Sequence, residues 1–338
     1  MNLPRLHDDS IVMDGLVISN WSRSVFEDMR IGGLTAANCT CSIWDGFYDT
    51  MMNVSRLKQQ IEEFDDILLQ VHSVKDIHRA KAEGKVGIIL GWQNMSGIED
   101  QIPFLRAFRD LGVLVMQLTY NTQNLLGSGC WETRDGGLSD FGREAIDEMN
   151  RLGILIDLSH VGSRTCEEAI AYSKKPVAYT HVAPKGLLDY PRNKSDDELR
   201  FIADHGGGIG VAVYPRFLPW GEDTTMENCV EAIEYVINVV GEDCVGFGTD
   251  FTQDQTVEWF DGLRHDKGYA RLLMPGKGTT APRLEGLSTL KDYPNLTIAM
   301  ERRGWSETKI RKVLGENWLR LLAEVWTPST EVSPETQE

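Results

Sequence analysis

Two histidines close two successive apolar runs, Ile154-Leu155-Ile156-Asp157-Leu158-Ser159-His160 and Pro176-Val177-Ala178-Tyr179-Thr180-His181, with a helical stretch between them. Short runs rich in branched aliphatics and separated by a helix read as neighbouring parallel strands with a crossover. A polar side chain at the carboxyl end of such a strand points to the place where barrel enzymes keep their chemistry. Imidazole is also the commonest metal ligand among side chains, so His160 and His181 could hold one divalent ion from two sides. Each is equally well explained as a strand-end histidine hydrogen-bonded to a loop, and both readings stand at this point. Asp250, in Gly248-Thr249-Asp250-Phe251, is placed to ligate a metal, to handle a proton in hydrolysis, or to cap a following helix. Arg192, in Pro191-Arg192-Asn193, carries a planar donor fork suited to two-point capture of a carboxylate. Its alternative is a surface arginine paired with Asp189 or Asp196. Gln93, and Tyr120 with Asn121, follow two further apolar runs. Asn20, Cys39 and Cys41 lie near the ends of the first two; Cys39 and Cys41 share a strand face, where small residues lining a barrel is the simpler reading.

The elements that must position these groups alternate. Apolar runs over residues 11–17, 34–43, 86–91, 113–118, 154–158, 177–180, 208–214 and 244–248 read as eight strands. Helical spacing fills most gaps: 54–82, 102–111, 141–152 after Ser139, 163–173, 196–205 and 225–240. Ser195 and Glu198 form a capping box for the fifth of these. The alternation predicts an α/β fold, a (β/α)8 TIM barrel, with a doubly wound open sheet as the alternative. A single barrel domain is expected over residues 1–326, followed by a polar tail, 327–338, that frays. An amphipathic helix at 307–325 is expected to close the barrel. Residues 251–284 are loop-rich, with Gly262, Gly268, Pro275, Gly276, Gly278 and Pro282, and read as a lid or a dimer contact.

Composition narrows the function classes. With 34 Lys+Arg against 51 Asp+Glu the formal charge is −17, which argues against nucleic acid or an anionic membrane surface as partner. No apolar stretch approaches the length of a membrane span, and the N-terminus lacks an export signal. The six cysteines are scattered without a CxxC, which points to a reduced, cytoplasmic protein.

A further set of motifs, in order, runs through most of the chain: Gly137-Leu138-Ser139-Asp140-Phe141-Gly142-Arg143, Met149-Asn150-Arg151-Leu152-Gly153, Asp157-Leu158-Ser159-His160-Val161, Thr180-His181, Pro191-Arg192-Asn193, His205-Gly206-Gly207, Val245-Gly246-Phe247-Gly248-Thr249-Asp250-Phe251 and Gly315-Glu316-Asn317-Trp318. This set resembles the membrane (renal) dipeptidases, peptidase family M19 of the metal-dependent amidohydrolase superfamily, in a bacterial-type form. The resemblance implies a dimeric (β/α)8 barrel that hydrolyses dipeptides with two zinc ions bridged by a glutamate. It places His160 and His181 as ligands of the second zinc. Arg192 falls on the arginine that grips the substrate carboxylate, and Asp250 on the aspartate that acts as acid/base and holds the substrate amine. It also places Leu16 and Ile18 where the first zinc takes a His-x-Asp pair, Gln93 at the bridging glutamate, and Tyr120 at a substrate-contacting histidine.

Leucine and isoleucine offer a metal no donor atom. The ligands that remain are His160, His181, the amide oxygen of Gln93 and Asp250, with Asn20, Cys39 and Cys41 as substitute donors, so zinc is expected as one ion at most, or not at all. Three readings follow. The first is an M19-like, metal-assisted hydrolase of a dipeptide or similar small carboxylated amide, with Arg192, Tyr120 and Asn121 binding substrate. The second is an enzyme of the same fold acting on another small carboxylated metabolite with one metal or none. The third is a silent small-molecule-binding homologue. A homodimer is expected from the resemblance. Arg192→Met is expected to remove carboxylate binding with little effect on stability.

Overall fold

The computed structural model describes residues 3–274 and 284–327. Pro275, Gly276, Gly278 and Pro282 of the expected lid, and residues 328–338 of the expected tail, lie outside the described residues. Nine parallel strands run β1 (Met13–Val17), β2 (Ala36–Thr40), β3 (Leu68–Gln70), β4 (Val86–Trp92), β5 (Val113–Gln117), β6 (Leu155–Asp157), β7 (Ala178–Val182), β8 (Gly208–Val211) and β9 (Val245–Phe247). Eight pair in the order β1-β2-β4-β5-β6-β7-β8-β9. The ring closes through β1 and the end of β9: Ile18 N–H donates to the Phe251 carbonyl at 2.8 Å, and Asp250 N–H to the Leu16 carbonyl at 3.1 Å. This is the expected (β/α)8 barrel.

The strands form where the sequence is apolar on both faces. Nearly every strand residue is buried, because one face meets the barrel interior and the other meets helices. The helices are α1 (Arg5–Asp9), α2 (Arg23–Ile31), α3 (Phe47–Glu63), α4 (Val74–Glu83), α5 (Pro103–Asp110), α6 (Asp140–Leu152), α7 (Ser163–Tyr172), α8 (Asp196–Asp204), α9 (Met226–Val240), α10 (Val257–Leu263), α11 (Pro294–Arg302), α12 (Glu307–Arg311) and α13 (Asn317–Val325). Ser139 caps α6 by accepting the Gly142 N–H at 2.9 Å, and the Ser195–Glu198 capping box opens α8.

Three expectations need correction. The single helical stretch at 54–82 is α3, β3 and α4. Leu57 and Ile61, then Ile67, Leu68 and Val71, keep near-helical spacing across the break, which hides it. The strand forms because β4 leaves an edge free: β2 pairs with Gly87 to Gly91 on one side, while β3 takes Val86 to Ile88 and β5 takes Leu90 to Trp92 on the other. The helix at 307–325 is interrupted by a π-helical turn, Lys312–Glu316. Gly315 lies in it, where an added Cβ would stand 2.5 Å from the Ile11 carbonyl oxygen. The loop-rich 251–284 stretch contains α10, capped by Thr256.

The barrel floor is closed from below by Trp318 of α13, whose indole N–H donates to the Phe247 carbonyl at 3.2 Å. At the upper end β7 is irregular: its register with β8 shifts between Tyr179 and Val182, bracketing Thr180 and His181. The Thr180 carbonyl turns into the barrel, so close to Gly210 and Gly248 that a Cβ on either would collide with it. Irregularities of this kind re-aim a side chain, and here the side chain is His181.

Candidate active site

A cavity of about 350 Å³ opens at the carboxyl ends of the strands. Six of the seven residues singled out from the sequence line it: Gln93, Tyr120, Asn121, His160, Arg192 and Asp250. The seventh, His181, is fully buried behind His160, with its Nε2 3.0 Å from the Nε2 of His160. Asn20 and Cys41 lie instead on an adjoining surface groove, and Cys39 is buried in the core.

Two buried carboxylates place the strand-end groups. Asp157 accepts the Thr180 N–H at 3.1 Å and the Thr180 hydroxyl at 2.6 Å, and also the Ser159 N–H at 2.9 Å and hydroxyl at 2.5 Å. The Ser159 hydroxyl oxygen in turn accepts the His181 N–H at 3.1 Å. Across the barrel Asp14 does the same for Thr249, accepting its N–H at 2.9 Å and its hydroxyl at 2.5 Å, and it also takes the Tyr293 hydroxyl. In each case the held threonine immediately precedes a site residue, His181 or Asp250. Burial pushes both carboxyls up, Asp14 to about 6, against the lowering effect of the donated hydrogen bonds.

The imidazoles are neutral. Burial, with the Arg192 guanidinium adding to it, holds both His160 and His181 well below their ordinary range. His160 Nδ1 is 2.7 Å from Asn121 Oδ1 and donates to it, which leaves Nε2 with its lone pair. His181 Nδ1 is 2.7 Å from Thr180 Oγ1. The Tyr120 ring stacks on His160 at 4.2 Å.

Asp250 stands alone. No described residue donates a hydrogen bond to its carboxylate. Burial raises it to about 6, while Arg192 pulls it down. It caps no helix, since the next one starts at Val257, and its backbone is left-handed, φ 57°. Asn121 shares that conformation, φ 61°; such backbones persist where the surroundings enforce them, commonly at functional sites. Arg192 is 2% exposed and pairs with neither Asp189 nor Asp196. It donates through Nη2 to the His181 carbonyl at 2.7 Å and through Nη1 to the Ser159 carbonyl, and its Nε–H has no partner.

The resemblance implies two zinc ions, and the side chains do not fit that centre. Leu16 and Ile18 form a buried apolar cluster with Ile43 and Tyr120, against which Trp44, Trp259 and Leu263 pack. Among the described residues no three His, Cys, Asp or Glu side chains gather closely enough to hold a metal. What remains is two converging imidazole nitrogens and Gln93, whose Nε2 donates to Thr40 Oγ1 at 3.1 Å.

By sequence the chain matches the family "Membrane dipeptidase (Peptidase family M19)" over residues 18–275 and 278–335. The chain belongs to this family. M19 relatives include dipeptidase tcpJ of Claviceps purpurea, 30% identical over 82% of this chain and 60% of its own length, and dipeptidase aclJ of Aspergillus oryzae, 28% identical over 82% of this chain and 61% of its own. The chain thus spans about 60% of the length of the curated relatives it matches. Among solved structures, an amidohydrolase from Pseudomonas aeruginosa is 55% identical with a TM-score of 0.93, covering 95% of this chain and 98% of that one.

The aromatic residues around the cavity, among them Trp131, Tyr190 and Phe217, carry no periodic signal in the sequence, and Tyr214, at the end of the 208–214 run, gives none of its ring partners. The buckles on Asp14 and Asp157 did leave a signal: a lone aspartate inside each of two apolar runs.

Proposed function

We propose that this M19 protein hydrolyses a small amide bearing a free carboxylate, a dipeptide or a compound of similar size. The observation that carries the reading is the meeting, in one cavity, of the Asp250 carboxylate, the buried Arg192 guanidinium, the Tyr120 hydroxyl and Asn121 Nδ2, where among the described residues Asp250, Arg192 Nε–H and the last two donors have no hydrogen-bond partner. Family membership and the names of the dipeptidase and amidohydrolase relatives support the reaction class.

Arg192 orients the substrate by its carboxylate. Asp250, with a carboxyl near the working pH, takes a proton from water as the water oxygen bonds to the amide carbon. The carbonyl electrons move onto its oxygen, which the Asn121 amide and Tyr120 hydroxyl stabilise as donors fixed in advance. Burial keeps the Tyr120 phenol protonated, and so a donor. Asp250 then gives its proton to the leaving nitrogen as the C–N bond breaks. His160, stacked under Tyr120 and bonded to Asn121, positions both. The donor set of His160, His181 and Gln93 leaves room for one zinc at most.

The test is a panel of dipeptides and N-acyl amino acids in zinc-replete buffer, with released amine as the readout. Cleavage is expected, falling by about 10²–10⁴ in Asp250→Asn. No cleavage anywhere in the panel overturns the reading. A second reading, other chemistry on a small carboxylated metabolite, is favoured by the apolar packing of Leu16 and Ile18; it expects carboxylate ligands to bind with no amide cleaved. The homodimer implied by the family is checked by light scattering. No helix among the described residues is long and apolar enough to cross a membrane.

A further inference from the structure

Four rings form a continuous wall along one part of the cavity. Trp131 meets Tyr190 edge-on at 5.6 Å, Tyr190 lies 6.0 Å from Phe217, and Phe217 lies 5.1 Å from Tyr214. Further apolar lining comes from Ile18, Tyr120, Trp259 and Leu263, part of or packed on the cluster around Leu16 and Ile43, and from Phe260 and Met274. Trp259, Phe260 and Leu263 reach the cavity from α10. Aromatic pairs prefer edge-on or offset arrangements to face-to-face stacking, and such pairs gain attraction beyond that of the area they bury. A cavity of about 350 Å³ is at the small end of ligand sites, roughly 300–1,000 Å³, and suits one compact molecule.

The wall is joined to the carboxylate-binding group. The Arg192 guanidinium lies 5.5 Å over the Phe217 ring, the wall's third member. A carboxylate meeting Arg192 therefore brings the side chain on the neighbouring carbon against Tyr190, Phe217 and Tyr214. Asp250 lines the same cavity as Tyr190, Tyr214 and Phe217.

We propose that the pocket selects a zwitterion whose carboxylate-bearing residue carries an aromatic side chain, the ring held by the Trp131–Tyr190–Phe217–Tyr214 wall. For the hydrolase reading, on which the substrate form of this inference rests, the preferred dipeptide has an aromatic C-terminal residue. The wall, not the catalytic groups, sets the choice.

Two measurements test it. The first compares kcat/KM for glycyl-phenylalanine, glycyl-leucine, glycyl-alanine and glycyl-glutamate, in both configurations at the second residue, with phenylalanyl-glycine as the positional control. Glycyl-phenylalanine is expected to exceed glycyl-alanine at least tenfold and phenylalanyl-glycine clearly. The second is calorimetric binding of free phenylalanine and free alanine, which needs no catalysis; phenylalanine is expected to bind at least tenfold tighter. In Tyr190→Ala, and in Tyr190→Leu should the first fold poorly, the preference should shrink at least fivefold. Hydrolysis with alanine or glutamate equal to phenylalanine overturns the inference and leaves the hydrolase reading standing. Tighter phenylalanine binding with no dipeptide cleaved supports the pocket's selectivity and removes the hydrolase reading. Equal binding of the two amino acids with no cleavage overturns both.

Discussion

Thr249 gives both its backbone N–H and its hydroxyl to the carboxylate of Asp14, at 2.9 and 2.5 Å, and so fixes the backbone from which Asp250 projects. The two residues are 235 positions apart and sit on the strands that close the barrel. One contact therefore serves ring closure and catalytic placement together. Thr249→Val keeps the shape but removes the hydroxyl donor, leaving a buried carboxylate short of one bond. A loss of about 1–3 kcal/mol is expected by urea unfolding, with kcat falling more than KM rises. A variant as stable as the parent would refute the role given to this contact.

Asp250 and Asp14 set the pH behaviour. Each has its carboxyl raised from about 3.8 to about 6 in the folded protein. Between about pH 4 and pH 6 the folded chain keeps protons that the unfolded chain has released. The contribution of these two carboxyls to stability therefore falls as pH rises through that window, and their penalty is fully present above it; the depressed histidines His7, His160 and His181 act in the opposite sense. Asp250→Asn removes one share of it. The variant should be more stable than the parent at pH 7.5, by on the order of 1–3 kcal/mol, and no more stable near pH 3.5. Thermal unfolding at the two pH values checks this.

Activity should follow the opposite direction, since the base works ionised. The parent's kcat/KM is expected to fall as pH drops below about 6, and a profile flat down to pH 5 would remove Asp250 from that role.

Arg192→Met illustrates what the structure changes. From the sequence the substitution should spare stability. The guanidinium is instead buried and ties the Ser159 and His181 carbonyls together across two strand ends. Removing it leaves acceptors unpaired, so about 1–3 kcal/mol of stability should be lost along with carboxylate binding. Denaturant melts and titration with a small carboxylate separate the two losses.

Metal content should be one zinc or less per chain in protein purified without chelator, measured by elemental analysis. Two equivalents would show donors that the side chains around Leu16 and Ile18 do not offer. The combined change Leu16→His, Ile18→Asp and Gln93→Glu should raise loading toward two. It should also lower stability, because it buries polar groups in an apolar cluster.

The eight ring strands were readable because strands buried on both faces must be written as apolar runs, and several of these runs lead directly into a residue of the cavity or of the layer behind it. His160, His181, Asp250 and Gln93 could be placed for that reason. β3 was hidden because Ile67, Leu68 and Val71 continue the helical spacing of Leu57 and Ile61; only the free edge of β4 decides their conformation. The aromatic wall was hidden for a different reason. Trp131, Tyr190 and the neighbouring pair Tyr214 and Phe217 are separated by tens of residues, and nothing local announces that they meet. Arg192 was recognised as a residue of interest but not as a tie between carbonyls, since its partners are main-chain atoms that leave no mark in the side-chain pattern.

The bonds that satisfy Asp14 have a bearing on how the protein is made. Its carboxylate lies in the first strand, yet the hydroxyl of Tyr293 comes 279 positions later. At a synthesis rate of about 5–20 residues per second, roughly 15–60 s separate the two on the ribosome. For that interval the nascent first strand carries a charge it cannot bury, and the ring has nothing to close on. Barrel closure therefore waits on residues far from the first strand, and the emerging apolar strands depend on shielding until Thr249 and Tyr293 are out.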